Sequence, residues 1–102
     1  MLFSVKSQRL LQRLGVSAAF ASGEKMVLAG PIFELRKQPG VRMRLAFVQD
    51  GEGGLCVGTA TDENGAWHMV DSEPFSRRAL GYHQRHLKRI GERMDEEPRR
   101  KR

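Results

Sequence analysis

The sequence has little that would support a disulfide-stabilised, membrane-spanning or secreted protein. Cys56 is the only cysteine, so an intramolecular disulfide framework is excluded, and one free thiol suits a reducing compartment. No stretch approaches the roughly 20 consecutive apolar residues that a membrane-spanning helix needs. We expect no secretory signal, because no long apolar core follows the first basic residue. With 102 residues, the chain suits one small domain.

Basic residues are missing from the centre of the chain. Residues 45–73 contain six acidic residues and no Lys or Arg. Residues 1–44 contain eight Lys/Arg and two acids, and residues 74–102 contain ten and four. The formal net charge of +6 is therefore carried by the two ends of the chain. Basic surfaces of this kind indicate an anionic partner, whereas ion pairs with the acidic centre would neutralise them.

The first 23 residues predict a basic amphipathic helix. Its apolar and basic positions recur at helical spacing: Phe3, Leu10, Leu11 and Leu14, and Lys6, Arg9 and Arg13. The favoured interpretation is an ordinary first helix of a prokaryotic protein, and the alternative is a mitochondrial transit peptide, for which this composition is also typical. We therefore expect residues 1–23 to be a separate segment. The expected location is the cytoplasm, with the mitochondrial matrix as the alternative.

Two turn signals divide the centre of the chain into strands. Pro39-Gly40 favours a tight turn, and Asn64-Gly65 is a strong hairpin signal because both residues tolerate positive φ. The predicted strands cover residues 26–37, 41–48, 55–61 and 66–70. Period-two alternation places Arg42 and Arg44 on one side of the sheet. Arg36 joins them there if the first two strands pair.

An amphipathic helix is predicted after the sheet. Ser72-Glu73-Pro74 is expected to end the sheet, with Pro74 in the first turn of the helix. Apolar positions then recur every three or four residues: Phe75, Ala79, His83, Leu87, Ile90 and Met94. The basic residues of this segment lie largely off that stripe: Arg78, Arg85, Lys88, Arg89 and Arg93. Residues 95–102 are expected to be a charged, disordered tail.

The predicted fold class is α+β. A three- to four-stranded antiparallel meander packs against the C-terminal helix, and residues 24–94 form a single domain beside the N-terminal helix. The predicted core consists of residues whose apolar side chains share one face of the sheet or helix: Leu28, Phe33, Leu35, Val41, Met43, Leu45, Phe47, Trp67, Met69, Phe75, Leu87 and Ile90.

No residue pattern supports an enzyme, a metal site or a bound cofactor. Cys56 and His68 would be the nucleophile and base of a catalytic pair, but the simplest two-residue hairpin register pairs His68 with Thr61 and puts Cys56 on the opposite face. His83 and His86 lack further ligands at metal-binding spacing. The glycine-rich loop after the second strand lacks the Lys-Ser/Thr of a phosphate-binding loop.

The basic residues therefore carry the functional hypothesis. We expect a non-enzymatic protein that binds DNA or RNA through the phosphate backbone with low sequence specificity. The predicted contacts are arginines and lysines of the sheet and the last helix: Arg36, Arg42, Arg44, Arg78, Arg85, Lys88 and Arg89. Trp67 and Tyr82 are candidate residues for base stacking. The alternative is an adaptor or inhibitor that docks on another protein, such as an acidic protein surface, through opposed charge patches. Association with a second copy is left open.

Overall fold

A computed structural model of the chain describes residues 3–16, 26–63 and 65–94. The elements in chain order are helix α1 (Val5–Arg13), strands β1 (Met26–Leu35), β2 (Arg42–Gln49), β3 (Leu55–Glu63) and β4 (Ala66–Pro74), helix α2 (Arg77–Ile90) and strand β5 (Gly91–Arg93). The predicted α+β class is confirmed. The tail predicted over residues 95–102 lies outside the described residues. In the described ranges, neither helix has the length and apolar character needed to cross a bilayer.

The strands form one antiparallel sheet in the order β4-β3-β2-β1-β5. The first four strands are therefore the predicted meander, with His68 paired to Thr61 as expected. The predicted count of three or four strands is one or two short of the five strands described. The sequence Gly91-Glu92-Arg93 has no apolar alternation that predicts a strand. It becomes one because α2 returns the chain to the outer edge of β1, where Gly91 pairs with Leu35.

Both helices pack on the same side of the sheet, which we call the helix face. Direct antiparallel partners share a face, and Phe47 of β2 is paired with Val27 of β1 and with Val57 of β3. These residues belong to a single buried cluster with residues of both helices. Its members are Phe3, Leu11, Val27, Phe33, Met43, Leu45, Phe47, Leu55, Val57, Ala79 and Leu87. The two helices and the sheet therefore share one apolar core.

The other side of the sheet, which we call the arginine face, carries Arg42 and Arg44. Both are half-buried. Small buried residues such as Ala46 and Ala60 fill its centre. A bulge in β1 leaves three residues between the partners of Leu45 and Met43, and it lies directly beside Arg44. The arginine face is therefore partly apolar.

Helix α2 begins later than predicted. Pro74 lies in β4, paired with Cys56, and Ser76 is the N-cap, its side chain accepting a hydrogen bond from the amide of Ala79. The expectation that Pro74 starts the helix is wrong. Proline is tolerated at the edge of a sheet, because an edge strand leaves some amide positions outside the hydrogen-bond ladder.

The predicted core is correct for the centre of the helix face and too broad elsewhere. Phe33, Met43, Leu45, Phe47 and Leu87 are buried. The remaining predicted core residues are half-buried: Leu28, Leu35, Val41, Trp67, Met69, Phe75 and Ile90. Register explains the three that lie on the arginine face, Leu28, Trp67 and Met69. Buried residues that the sequence did not single out as core include Phe3, Leu11, Val27, Leu55 and Val57.

We expect substitution of Gly58 to destabilise the fold. A Cβ atom at this position would overlap the carbonyl oxygen of Asp71 and lie 2.7 Å from the Cα atom of Ser72. Because these are backbone atoms, Gly58→Ala forces strands β3 and β4 apart. We expect a loss of about 1–3 kcal/mol in the free energy of unfolding, measured by urea denaturation. Gly51→Ala is the control, since nothing lies within 4 Å of a Cβ there. Equal urea midpoints for both variants would contradict the close contact of β3 and β4 at Gly58.

Candidate functional site

The solvent-facing side of α2 carries five basic side chains. The segment between Arg77 and Ile90 contains no acidic residue. Its buried positions, Ala79, His83 and Leu87, follow one stripe against the sheet, so the helical period sends the basic residues outward. The exposed basic residues are Arg77, Arg78, Arg85, Lys88 and Arg89, and we call this set the basic face of α2.

The charges on α2 are arranged unfavourably at its start and favourably at its end. Arg77 and Arg78 lie in the first turn, beside the partial positive charge of the helix N-terminus, and no acidic residue lies there. Lys88 and Arg89 lie in the last turn, where positive charge complements the helix dipole. Helix stability therefore does not explain why the two arginines occupy the first turn.

A buried histidine holds α2 in place on the sheet. The side chain of His83 is 3% exposed, and its Nε2 atom lies 2.9 Å from Oε2 of Glu73 on β4. Its Nδ1 atom lies 4.0 Å from a carboxylate oxygen of Asp71. Among the described residues, no group of three or more His, Cys, Asp or Glu is arranged to hold a metal ion. His83 therefore positions the helix through a polar contact with the edge strand.

Arg36 caps the end of α2 rather than joining the arginines of the sheet. Its Nη1 atom donates to the carbonyl oxygen of Arg89 at 2.7 Å and to that of Lys88 at 3.4 Å. Its Nε atom lies 3.4 Å from a carboxylate oxygen of Glu92. The expected grouping of Arg36 with Arg42 and Arg44 is therefore wrong, because Arg36 follows the end of β1 and turns towards the helix C-terminus.

Arg42 and Arg44 are engaged within the sheet. Arg42 forms an ion pair with Asp62, its direct partner on β3. Its guanidinium carbon lies 5.6 Å from the ring centroid of Trp67, which is the partner of Asp62 on β4. The side chain of Arg44 donates to the carbonyl oxygen of Gly30 in the β1 bulge. Neither of these two predicted contacts belongs to the basic face of α2.

Four of the seven predicted contacts lie together on α2, and a fifth, Arg36, lies beside them. The sequence analysis did not include Arg77 among the predicted contacts. Recognition of Ser76 as an N-cap residue would have placed Arg77 in the first turn. Arg36 and Lys37 line a cleft of about 440 Å³ with Arg89, which extends the positive surface beyond the helix end.

Cys56 and His68 do not form a catalytic pair. Cys56 is paired with Val48 and Pro74 on the arginine face, whereas His68 is paired with Thr61 on the helix face. Burial, and to a lesser degree the carboxylate of Asp50, raises the pKa of the Cys56 thiol. A raised pKa disfavours the thiolate, which is the nucleophilic form. The predicted separation of these two residues is confirmed.

No protein-family model, curated protein or solved structure matches this chain. Its function therefore has to be inferred from its own residues and their geometry.

We expect Arg42 to contribute to stability. The side chain of Asp62 is only 5% exposed, so Arg42→Gln leaves a buried carboxylate without its cationic partner. We expect a loss of about 1–3 kcal/mol in the free energy of unfolding. Arg85→Gln removes the same charge from an exposed site and should change stability by less than about 0.5 kcal/mol. Similar urea midpoints for the two variants would show that the Arg42–Asp62 pair does not stabilise the folded protein.

We expect the Cys56 thiol to be unreactive in the folded protein. At pH 8, alkylation should be on the order of ten times slower than in urea, because burial limits access and the raised pKa lowers the thiolate fraction. The folded state binds the thiol proton more tightly than the unfolded state. The contribution of Cys56 to the free energy of unfolding is therefore lost as pH rises through the raised pKa. His68→Ala should leave the rate unchanged. If the folded chain were alkylated faster than the chain in urea at pH 7, Cys56 would be an activated cysteine.

Proposed function

We propose that this protein is a non-enzymatic nucleic-acid-binding protein that holds the phosphate backbone of DNA or RNA on the basic face of α2. The observation that carries this proposal is the presence of five exposed Lys/Arg on a 14-residue helix that has no acidic residue. Phosphates are the dominant source of affinity in low-specificity complexes, and Lys and Arg are the residues that neutralise them.

The spacing along α2 suits consecutive phosphates. With a rise of about 1.5 Å per residue, Arg78 and Arg85 lie about 10 Å apart along the helix axis, and Arg85 and Arg89 about 6 Å apart. Long side chains add several ångströms of reach, so these guanidinium groups meet several phosphates of one strand. Arginine presents a planar fork of donors that matches phosphate oxygens. Such contacts carry no base information, which accounts for low sequence specificity.

The first turn of α2 favours an anion. Arg77 and Arg78 add positive charge to a helix N-terminus that is already positive, and the first turn of α2 itself contains no acidic residue. A bound phosphate would relieve this unfavourable charge arrangement. Arg42 and Arg44 belong to the arginine face, where they contact Asp62 and Gly30, and not to the end of α2. The proposed surface is therefore the basic face of α2 with Arg36 and Lys37.

A protein partner is the second candidate, and strand β4 favours it. β4 lies at the edge of the sheet and is largely exposed, with Val70 57% exposed. A strand of another protein could pair with such an edge. Asp71 and Glu73, which are 60% and 49% exposed at their side chains, would then select a partner with basic residues. This docking uses the acidic edge and leaves the basic face of α2 unoccupied.

We expect neutralisation of α2 to weaken nucleic-acid binding in a salt-dependent way. The double variant Lys88→Gln/Arg89→Gln loses two cations, so the log–log slope of affinity against salt should fall by about 1.4–1.8. Fluorescence anisotropy with labelled oligonucleotides at several salt concentrations measures this slope. The control, Lys6→Gln/Arg9→Gln, removes two exposed charges from α1.

The outcomes separate the candidates. Retention of the wild-type slope in the α1 control supports contacts localised on α2, whereas equal losses in both variants would point to general charge attraction. Absence of binding by the wild-type chain at low salt would reject nucleic-acid binding. A protein partner that survives nuclease treatment and is lost in Asp71→Asn, with the circular dichroism of the variant unchanged, would support docking through β4.

A further inference from the structure

Tyr82 is an aromatic residue that the apolar core does not use. It lies on α2 between Arg78 and Arg85 and is 47% exposed. Of the aromatic side chains that the structure describes, it alone is among the exposed large hydrophobic residues. Packing against the sheet therefore does not account for its position. A half-exposed ring between two arginines is the arrangement on which a base of a single strand stacks.

Two histidines hold the ring of Tyr82 in one orientation. The His86 ring lies parallel to it, with an interplanar angle of 5° and centroids 5.9 Å apart. The ring of His83 meets it edge-on, with centroids 5.1 Å apart, and His83 is itself fixed by Glu73. The ring of Tyr82 is therefore already oriented before a ligand binds, which reduces the entropy lost on binding.

A cleft lies beside this ring. It has a volume of about 500 Å³, within the range of small-molecule sites, and is lined by Glu73, Ser76, Arg78, Ala79, Tyr82 and Arg85. Arg78, one turn before Tyr82, lines the cleft, whereas His86, one turn after it, does not. Tyr82 therefore borders the cleft together with Arg78 and Arg85, and His86 lies outside it.

We propose that this cleft holds one unpaired nucleotide of the bound strand, with its base stacked on Tyr82. This inference rests on the proposed function, and it specifies single-stranded nucleic acid as the ligand. The guanidinium groups of Arg78 and Arg85 bind the phosphates on the two sides of that nucleotide. In a duplex the faces of the bases are covered by their neighbours, so only an unpaired base can stack on this ring.

Glu73 limits how the nucleotide lies. Its carboxylate would repel a phosphate, so the phosphates lie on the side of Arg78 and Arg85. One carboxylate oxygen is bound to His83. The carboxylate side of the cleft therefore faces the uncharged part of the nucleotide, where it accepts a hydrogen bond from a base amino group or a sugar hydroxyl. Every base has a face that stacks, so sequence preference stays low.

The experiment compares binding of a labelled single-stranded 12-mer with binding of the same sequence in a duplex. Tyr82→Leu removes the aromatic face and no charge. We expect it to weaken single-strand binding by about 5- to 100-fold, with duplex binding and the salt slope unchanged. Tyr82→Phe keeps the ring and should retain the wild-type preference for the single strand. Circular dichroism of each variant checks that α2 is intact.

Each result separates this inference from the proposed function. If the chain binds neither oligonucleotide at low salt, the proposed function fails. If both bind and Tyr82→Leu leaves the single-strand affinity unchanged, the stacking site is rejected while backbone binding stands. Should Tyr82→Leu fail to fold, photocrosslinking of a 5-iodouracil oligonucleotide to the wild-type chain decides. A crosslink at Tyr82 supports the site, and crosslinks confined to Trp67 or other residues overturn it.

Discussion

The seating of α2 on the helix face of the sheet is the constraint on which the rest of the structure depends. Ala79 and Leu87 enter the same buried cluster as the central strands, and His83 ties the helix to Glu73 on the edge strand. This contact fixes the rotation of the helix about its axis. Because the apolar side of α2 is buried against the sheet, the basic residues on its opposite side face solvent.

The same seating determines the last strand of the sheet. Helix α2 carries the chain from the edge at β4 across β3 and β2 to the outer edge of β1, where β5 begins directly after Ile90. A side chain at Gly91 would meet the Cβ atom of Phe33 at 2.9 Å, so the crossing is tight. Arg36 then closes the helix end through two carbonyl oxygens, which links the β1–β2 turn to α2.

The acidic residues of the centre that form ion pairs do so with Arg42 of the sheet and with the buried side of α2, among the described residues. Asp62 lies beside Arg42 across neighbouring strands. Their ion pair involves an arginine that was predicted to contact phosphate. Asp71 and Glu73 face the buried His83 from below α2. On the solvent side of the helix, the five basic residues keep their charge exposed. None of these three carboxylates pairs with the basic face of α2.

Local patterns in the sequence predicted the two helices, the first four strands and the apolar side of α2, but not β5. Asn64-Gly65 predicted the hairpin that pairs His68 with Thr61, and the stripe through Ala79 and Leu87 predicted the buried side of α2. Such signals depend on residues close in the chain. Only the tertiary structure decided which arginines share a surface. Arg36 and Arg42 are six residues apart, yet one reaches the helix end and the other pairs across the sheet, because their surroundings come from distant segments.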